Sequence, residues 1–160
     1  MTIELRNRTE AHVRTYFEQT RDPEIQSMLP QTAQTAEAAV ADFRKTLLPG
    51  ATSFGRTIYA DGNYVGDIWC YCIDPDDEPN AMLSYCIFEK SLWGKGIATE
   101  ALRQFLLEIV PRFSLKTVGA FAYCTNRASL CVLEKNGFSK MEEFTEDGVL
   151  SAYYQKETGL

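Results

Sequence analysis

Histidine is almost missing from this chain: His12 is the only one in 160 residues. Chemistry that needs paired histidines is therefore excluded, and a surface or capping role on a first helix accounts for His12. Positive charge is also short. Sixteen Lys and Arg face 22 Asp and Glu, a formal net charge of −6. That balance argues against a nucleic-acid partner, which needs a basic stripe, and an acidic protein attracts cations instead. No segment approaches the roughly 18 apolar residues of a membrane span, and the N-terminus lacks a signal-peptide pattern, so no membrane partner and a cytoplasmic location are expected. The five cysteines, Cys70, Cys72, Cys86, Cys124 and Cys131, are odd in number and have neither zinc-finger spacing nor a Cys-x-x-Cys motif. Most sit in apolar runs, which predicts buried, reduced thiols and no metal site; Cys70 and Cys72 are expected on one strand face. Repeats, low-complexity tracts and interdomain linkers are absent too. With 45% hydrophobic residues, residues 1–160 read as a single domain with a proper core.

What the chain does contain is an alternation of elements. Thr2 to Arg6 reads as a short strand and Glu10 to Gln19 as a helix, broken at Arg21-Asp22-Pro23. A second helix is expected from Ala36 to Leu47, ended by Pro49-Gly50. Phe54 to Ala60 and Tyr64 to Ile73 flank an Asp61-Gly62-Asn63 turn and form a hairpin. After an acidic loop (Asp74, Asp76, Asp77, Glu78), Ala81 to Phe88 is the next antiparallel strand. A long amphipathic helix from Ile97 to Phe113, a strand from Thr117 to Tyr123 and a helix from Arg127 to Lys135 follow. That helix stops at Asn136-Gly137, a Gly C-cap signal. Phe138 to Phe144 and Val149 to Gln155 flank Glu146-Asp147-Gly148 as a closing hairpin. The order predicts an α+β domain.

The most informative stretch is Leu92-Trp93-Gly94-Lys95-Gly96-Ile97-Ala98-Thr99-Glu100-Ala101. Two glycines around one residue let backbone approach a ligand closely. The first turn of the following helix adds unpaired N–H groups and the positive end of the macrodipole, so phosphate is the natural guest. The spacing is not that of a P-loop. A dinucleotide fingerprint is formally allowed by Ala98, but such a loop normally follows the first strand of a βαβ unit, and here most of the β-like sequence precedes it. A glycine loop without a ligand stays open as the third reading.

Two segments together resemble the GNAT N-acetyltransferase superfamily over essentially the whole chain. They are Trp93-Gly94-Lys95-Gly96-Ile97-Ala98-Thr99-Glu100-Ala101-Leu102 and Asn126-Arg127-Ala128-Ser129-Leu130-Cys131-Val132-Leu133-Glu134-Lys135-Asn136-Gly137-Phe138. The second resembles the Asn-x-x-Ser … Leu-Glu-Lys-x-Gly-Phe signature of the branch that acetylates ribosomal protein N-termini. The resemblance implies a mostly antiparallel mixed sheet flanked by helices, with a splayed strand pair forming an acyl-CoA cleft. It implies acetyl-CoA as co-substrate, its pyrophosphate on Gly94, Gly96, Ile97 and Ala98 with Lys95 adding charge. Pantetheine would pair with backbone around Cys86, Ile87 and Phe88, as an added strand does. Asn126 would bond the cofactor, and Ser129 would lie near the thiol as a general acid; capping and packing are the plain structural readings of these two. A homodimer is compatible with the resemblance.

Three departures leave the catalytic base unassigned. Ser91 stands where the family often has Arg or Gln. Leu133 takes the place of a tyrosine acid, and Met82 that of a glutamate on the strand before the loop. Glu100 is expected to favour the helix dipole rather than accept a proton. Amide formation needs a neutral amine, and an α-amino group of pKa about 8 is roughly a tenth neutral at pH 7, whereas a lysine is neutral in only about one molecule in several thousand. A low-pKa amine is therefore the favoured acceptor. Backbone N–H groups on the splayed strand would polarise the carbonyl, and Ser129 would protonate the leaving thiolate. The acidic loop reads as a solvated turn or as electrostatic guidance for a cationic amine. The acceptor pocket is expected around Ser27–Thr35, Asp74–Asn80 and Thr145–Val149. A catalytically weak acyl-CoA-binding sensor or scaffold is the alternative function.

Overall fold

A computed structural model describes residues 1–29 and 33–160. Among these residues seven strands form one sheet: β1 (Ile3–Arg6), β2 (Phe54–Ala60), β3 (Asn63–Asp74), β4 (Asn80–Ile87), β5 (Thr117–Tyr123), β6 (Ser139–Glu146) and β7 (Val149–Glu157). Their order is β1-β2-β3-β4-β5-β7-β6. Only β4 and β5 run parallel; every other neighbouring pair is antiparallel. Asp61-Gly62 and Asp147-Gly148 close the β2–β3 and β6–β7 hairpins, joining Ala60 to Asn63 and Glu146 to Val149.

Among the described residues five α-helices flank the sheet: α1 (Glu10–Gln19), α2 (Pro23–Gln26), α3 (Ala36–Lys45), α4 (Ile97–Phe113) and α5 (Arg127–Lys135). On one face α4 buries Ala101, Leu102, Phe105 and Ile109 against Ile58, Ile68, Leu83 and Val118, all 0–1% exposed. On the other face α1 and α3 join through Val13, Val40 and Phe43. Tyr16 of α1 packs edge-on against Trp69 and Phe88. His12 does cap α1: it forms a reciprocal box with Thr9, and its Nε2 lies 2.7 Å from the Tyr59 hydroxyl.

Several expectations need correction. Arg21-Asp22-Pro23 ends α1 but also starts α2, because Asp22 accepts from the N–H groups of Glu24 and Ile25 with Pro23 in the first turn. α3 ends at Lys45, where Thr46 caps it, and not at Leu47. Of the five thiols only Cys70 is buried; Cys72 and Cys131 are exposed. Cys72 leaves the face of Cys70 because the β3–β4 register shifts after Tyr71 and Cys72 takes φ +51°.

Candidate active site

β4 leads into a 3₁₀ turn, Lys90–Leu92, and the glycine loop. The Trp93 indole N–H donates to the Ile87 carbonyl at 2.7 Å, tying the loop to the strand end. Gly94 and Gly96 have φ of +78° and +80°, the left-handed region, and a Cβ at either would meet nothing within 4 Å. The glycines are thus required by backbone conformation, and the space above them is free for a ligand. Gly96 is the N-cap of α4 and offers no side chain; its carbonyl accepts from Glu100 N–H at 3.1 Å. The N–H groups of Ile97, Ala98 and Thr99 are the unpaired first-turn donors of a 17-residue helix. Lys95 stands exposed beside them. This donor set suits a pyrophosphate.

The β4–β5 ladder is short. It pairs Asn80, Ala81 and Met82 with Thr117, Val118 and Gly119 and then stops, although β4 continues to Ile87 and β5 to Tyr123. Beyond Met82 the strands part. Phe88 N–H donates to Val65 at 2.9 Å, and the β3–β4 register is regular from Gly66 to Tyr71. Alternation along an antiparallel ladder then turns the backbone polar groups of Cys86 toward β3, and those of Tyr85 and Ile87 toward the gap. Of Cys86, Ile87 and Phe88, only Ile87 presents its N–H to the gap, and Tyr85 joins it.

A cleft of about 760 Å³ passes through this gap. Leu83, Tyr85, Asn126, Ser129 and Leu133 line it on the α5 side; Met28, Leu29, Trp69, Tyr71, Phe121 and Phe144 line it on the opposite side. Its carboxylates are Glu142, Glu146 and Asp147 of the last hairpin. Asp74, Asp76, Asp77 and Glu78 do not line it, so the charge facing the cleft comes from the β6–β7 end rather than the acidic loop. Of the other two loops expected at the acceptor pocket, the last hairpin lines it, and Met28 and Leu29 of Ser27–Thr35 do too, while residues 30–32 lie outside the described residues.

Asn126 accepts from the Ser129 N–H at 3.2 Å and caps α5. The structure therefore supports the capping reading of Asn126, and its amide nitrogen has no hydrogen bond among the described residues. Tyr85 donates to the Ser129 carbonyl at 3.1 Å, with its oxygen 3.0 Å from Ser129 Oγ. Burial holds the Tyr85 hydroxyl well above the usual tyrosine range. Leu133, one turn on, is 1% exposed and supplies only packing. Glu134 is exposed and accepts from the Tyr154 hydroxyl at 3.0 Å. Asn136 Nδ2 donates to Thr99 O at 3.2 Å and links the two signature helices. Glu100 accepts from Arg103 Nε at 2.6 Å, which holds its carboxyl below the usual range and ties it to its own helix. Met82 faces Gly119, leaving no carboxylate at that point of β4.

Glu146 falls in the expected Thr145–Val149 segment, but Tyr85, Glu142 and the aromatic wall were not singled out from sequence. The alternation Glu142, Phe144, Glu146 before Asp147-Gly148 marks one strand face, which is a usable signal. The Tyr85–Ser129 contact spans 44 residues and leaves no local trace.

Residues 2–139 match the model of the acetyltransferase (GNAT) domain. No curated protein sequence matches the chain. Among solved structures, aminoglycoside acetyltransferase AAC(6')-Ib in complex with coenzyme A superposes with a TM-score of 0.81 at 16% identity, covering 99% of this chain and 96% of that one. The RimL ribosomal L7/L12 α-N-protein acetyltransferase in complex with coenzyme A gives 0.81 at 20% identity, over 98% and 94%. The acetyltransferase that modifies the N-terminal serine of 50S protein L7/L12 from Salmonella typhimurium gives 0.80 at 20%, over 98% and 95%. At these identities the likeness is one of fold. Among the described residues no helix is long and apolar enough to cross a membrane.

Proposed function

The chain belongs to the acetyltransferase (GNAT) domain family, and from that premise we propose that it moves the acetyl group of acetyl-CoA to a primary amine by direct attack in a ternary complex. The observation that carries this reading is the continuity of three parts. An uncapped helix start with two left-handed glycines leads to a strand gap, and the gap opens into an aromatic, acidic cleft.

In this reading the N–H groups of Ile97 and Ala98 hold the pyrophosphate, with Gly94 and Gly96 giving it room. Each such bond to a charged oxygen contributes about 1.5–3 kcal/mol. The backbone of Tyr85 and Ile87 pairs with the pantetheine arm. The free Asn126 amide nitrogen faces the cofactor while its oxygen caps α5. An N–H in the gap polarises the thioester carbonyl, and Ser129 bonds the departing sulfur. The amine arrives on the opposite side, past Trp69, Tyr71 and Phe121, where Glu142, Glu146 and Asp147 favour a cation. Peptide N-termini, polyamines and aminoglycosides fit this charge. A peptide α-amine ranks above a lysine side chain, because more of it is neutral at pH 7.

The test is thiol release from acetyl-CoA with a seryl peptide, spermidine, kanamycin and a lysine peptide. Release that rises with added amine, and falls as salt screens the attraction over about 8 Å, is expected. Equal release with and without every amine would reject transferase activity and leave a binding module.

A further inference from the structure

Tyr85 and Ser129 form a hydroxyl pair inside the cleft. We infer that Tyr85 is a positioning residue for acetyl transfer: its hydroxyl holds that of Ser129 so that the serine proton points at the departing sulfur. This rests on the transferase reading above.

A serine hydroxyl is a rotor whose direction is set by its neighbours. Here the rest of Ser129 is already fixed, because Asn126 holds its N–H at 3.2 Å and α5 holds its backbone. The Tyr85 hydroxyl donates to Ser129 O at 3.1 Å and lies 3.0 Å from Ser129 Oγ, where either oxygen can be the donor; the inferred arrangement is the one in which its single proton is shared between O and Oγ. When Tyr85 donates to Oγ, the serine proton must turn away from the ring. The cleft lined by both residues is the open direction. Leu133, the next cleft residue on α5, offers no donor that could replace this arrangement. The burial that keeps Tyr85 protonated also makes it a donor of a hydrogen bond rather than of a proton.

In the step itself, the amine nitrogen bonds to the acyl carbon and the carbon–sulfur bond breaks. Sulfur leaves as a thiolate with the electron pair, and the surplus proton of the amine passes to water. Tyr85 loses no proton; its part is to keep the Ser129 hydrogen bond aimed at the sulfur as charge develops there.

Steady-state thiol release should be measured for Tyr85→Phe, Ser129→Ala and the double variant, with acetyl-CoA and the seryl peptide or spermidine, whichever turns over faster. Tyr85→Phe should lower kcat about tenfold, the worth of one oriented hydrogen bond. The KM for acetyl-CoA should stay within about twofold, and the double variant should be no slower than Ser129→Ala. A second readout is independent of turnover. Wild-type protein should prefer CoA to desulfo-CoA increasingly from pH 7 to 9, as the thiol ionises, and Ser129→Ala and Tyr85→Phe should lose that increase. Full tenfold additivity in the double variant, an unchanged kcat in Tyr85→Phe, or a preference for CoA that ignores pH would overturn the inference. Wild-type protein that releases no thiol overturns the transferase reading and this inference with it; normal wild-type turnover with an indifferent Tyr85→Phe overturns only the latter.

Discussion

Strands β1–β4 and β5–β7 belong to one sheet, but their two faces are finished differently. In the first half α4 covers one face and α1 with α3 the other. Ile58 and Ile68 are fully buried on the α4 side, and Asp67 is 3% exposed on the reverse. Asp67 is paired there with Arg8 at 3.2 Å and accepts from Tyr64 at 2.6 Å. In the second half, among the described residues, the helices cover the α4–α5 side, where Ala120, Ala152 and Tyr154 are buried. The reverse carries Phe121 at 52% exposure, edge-on to Phe144 and tilted against Tyr153, beside Glu142 and Glu146. The closed half therefore supplies stability. The open half leaves apolar and acidic surface for a partner, and the β4–β5 gap is the seam between them.

The sharpest contrast should come from truncation in each half. Ile68→Ala is expected to cost about 2–5 kcal/mol of stability, a buried cavity in β3. Phe121→Ala should cost under about 1 kcal/mol, because half of the ring is already in water, while raising the KM of the acceptor. Denaturant melts and steady-state kinetics on both variants check this; equal losses of stability would erase the distinction.

Next in size is the pH response of the closed half. Burial pushes the Asp67 carboxyl from 3.8 up to about 6, against the opposing pull of Arg8 and Tyr64. The folded protein then holds this proton more tightly than the unfolded chain. Its contribution is fully present below pH about 4 and is lost as pH rises through about 6, a difference of about 3 kcal/mol. The wild-type stability minus that of Asp67→Asn, followed from pH 4 to 7.5, should fall by that order. Glu108, whose carboxyl Arg56 holds low, has the opposite sign, so the difference between variants is the quantity to read.

Smaller effects belong to the open half and the seam. Glu142→Gln with Glu146→Gln should raise the KM of a cationic acceptor about tenfold at low salt and much less at high salt, with melting unchanged. Asn126→Ala should weaken acetyl-CoA use about fivefold. Glu100→Ala should change turnover less than twofold, roughly the effect of an exposed ion pair. A large loss of turnover in Glu100→Ala with unchanged melting would make that carboxylate the base.

Local signals carried much of the fold into the sequence. The bounds of α1, α4 and α5 follow from caps and apolar periodicity, and both Asp-Gly hairpins follow from turn chemistry. The four-residue α2 was hidden because its Asp22-Pro23 start also reads as a breaker. The thiols were misjudged because an apolar run does not say which face is covered, and the bulge at Cys72 turns a residue outward. The glycine loop was legible, since its backbone geometry is written in Gly94 and Gly96. The acceptor side was legible in part, through Ser27–Thr35 and Thr145–Val149, but its aromatic wall comes from β3, β5 and β6, and which carboxylates reach the cleft depends on strand order.

Thermal melting against CoA reads out whether the glycine loop and the strand gap bind acetyl-CoA. At 100 times its dissociation constant CoA should stabilise the fold by about 2.7 kcal/mol. Gly96→Val, which puts a branched side chain at φ +80° into the space above the loop, should fold with a lower melting temperature and show no CoA shift. A wild-type melt unmoved by millimolar CoA, or a Gly96→Val variant that shifts as the wild type does, would show that this loop does not hold the cofactor.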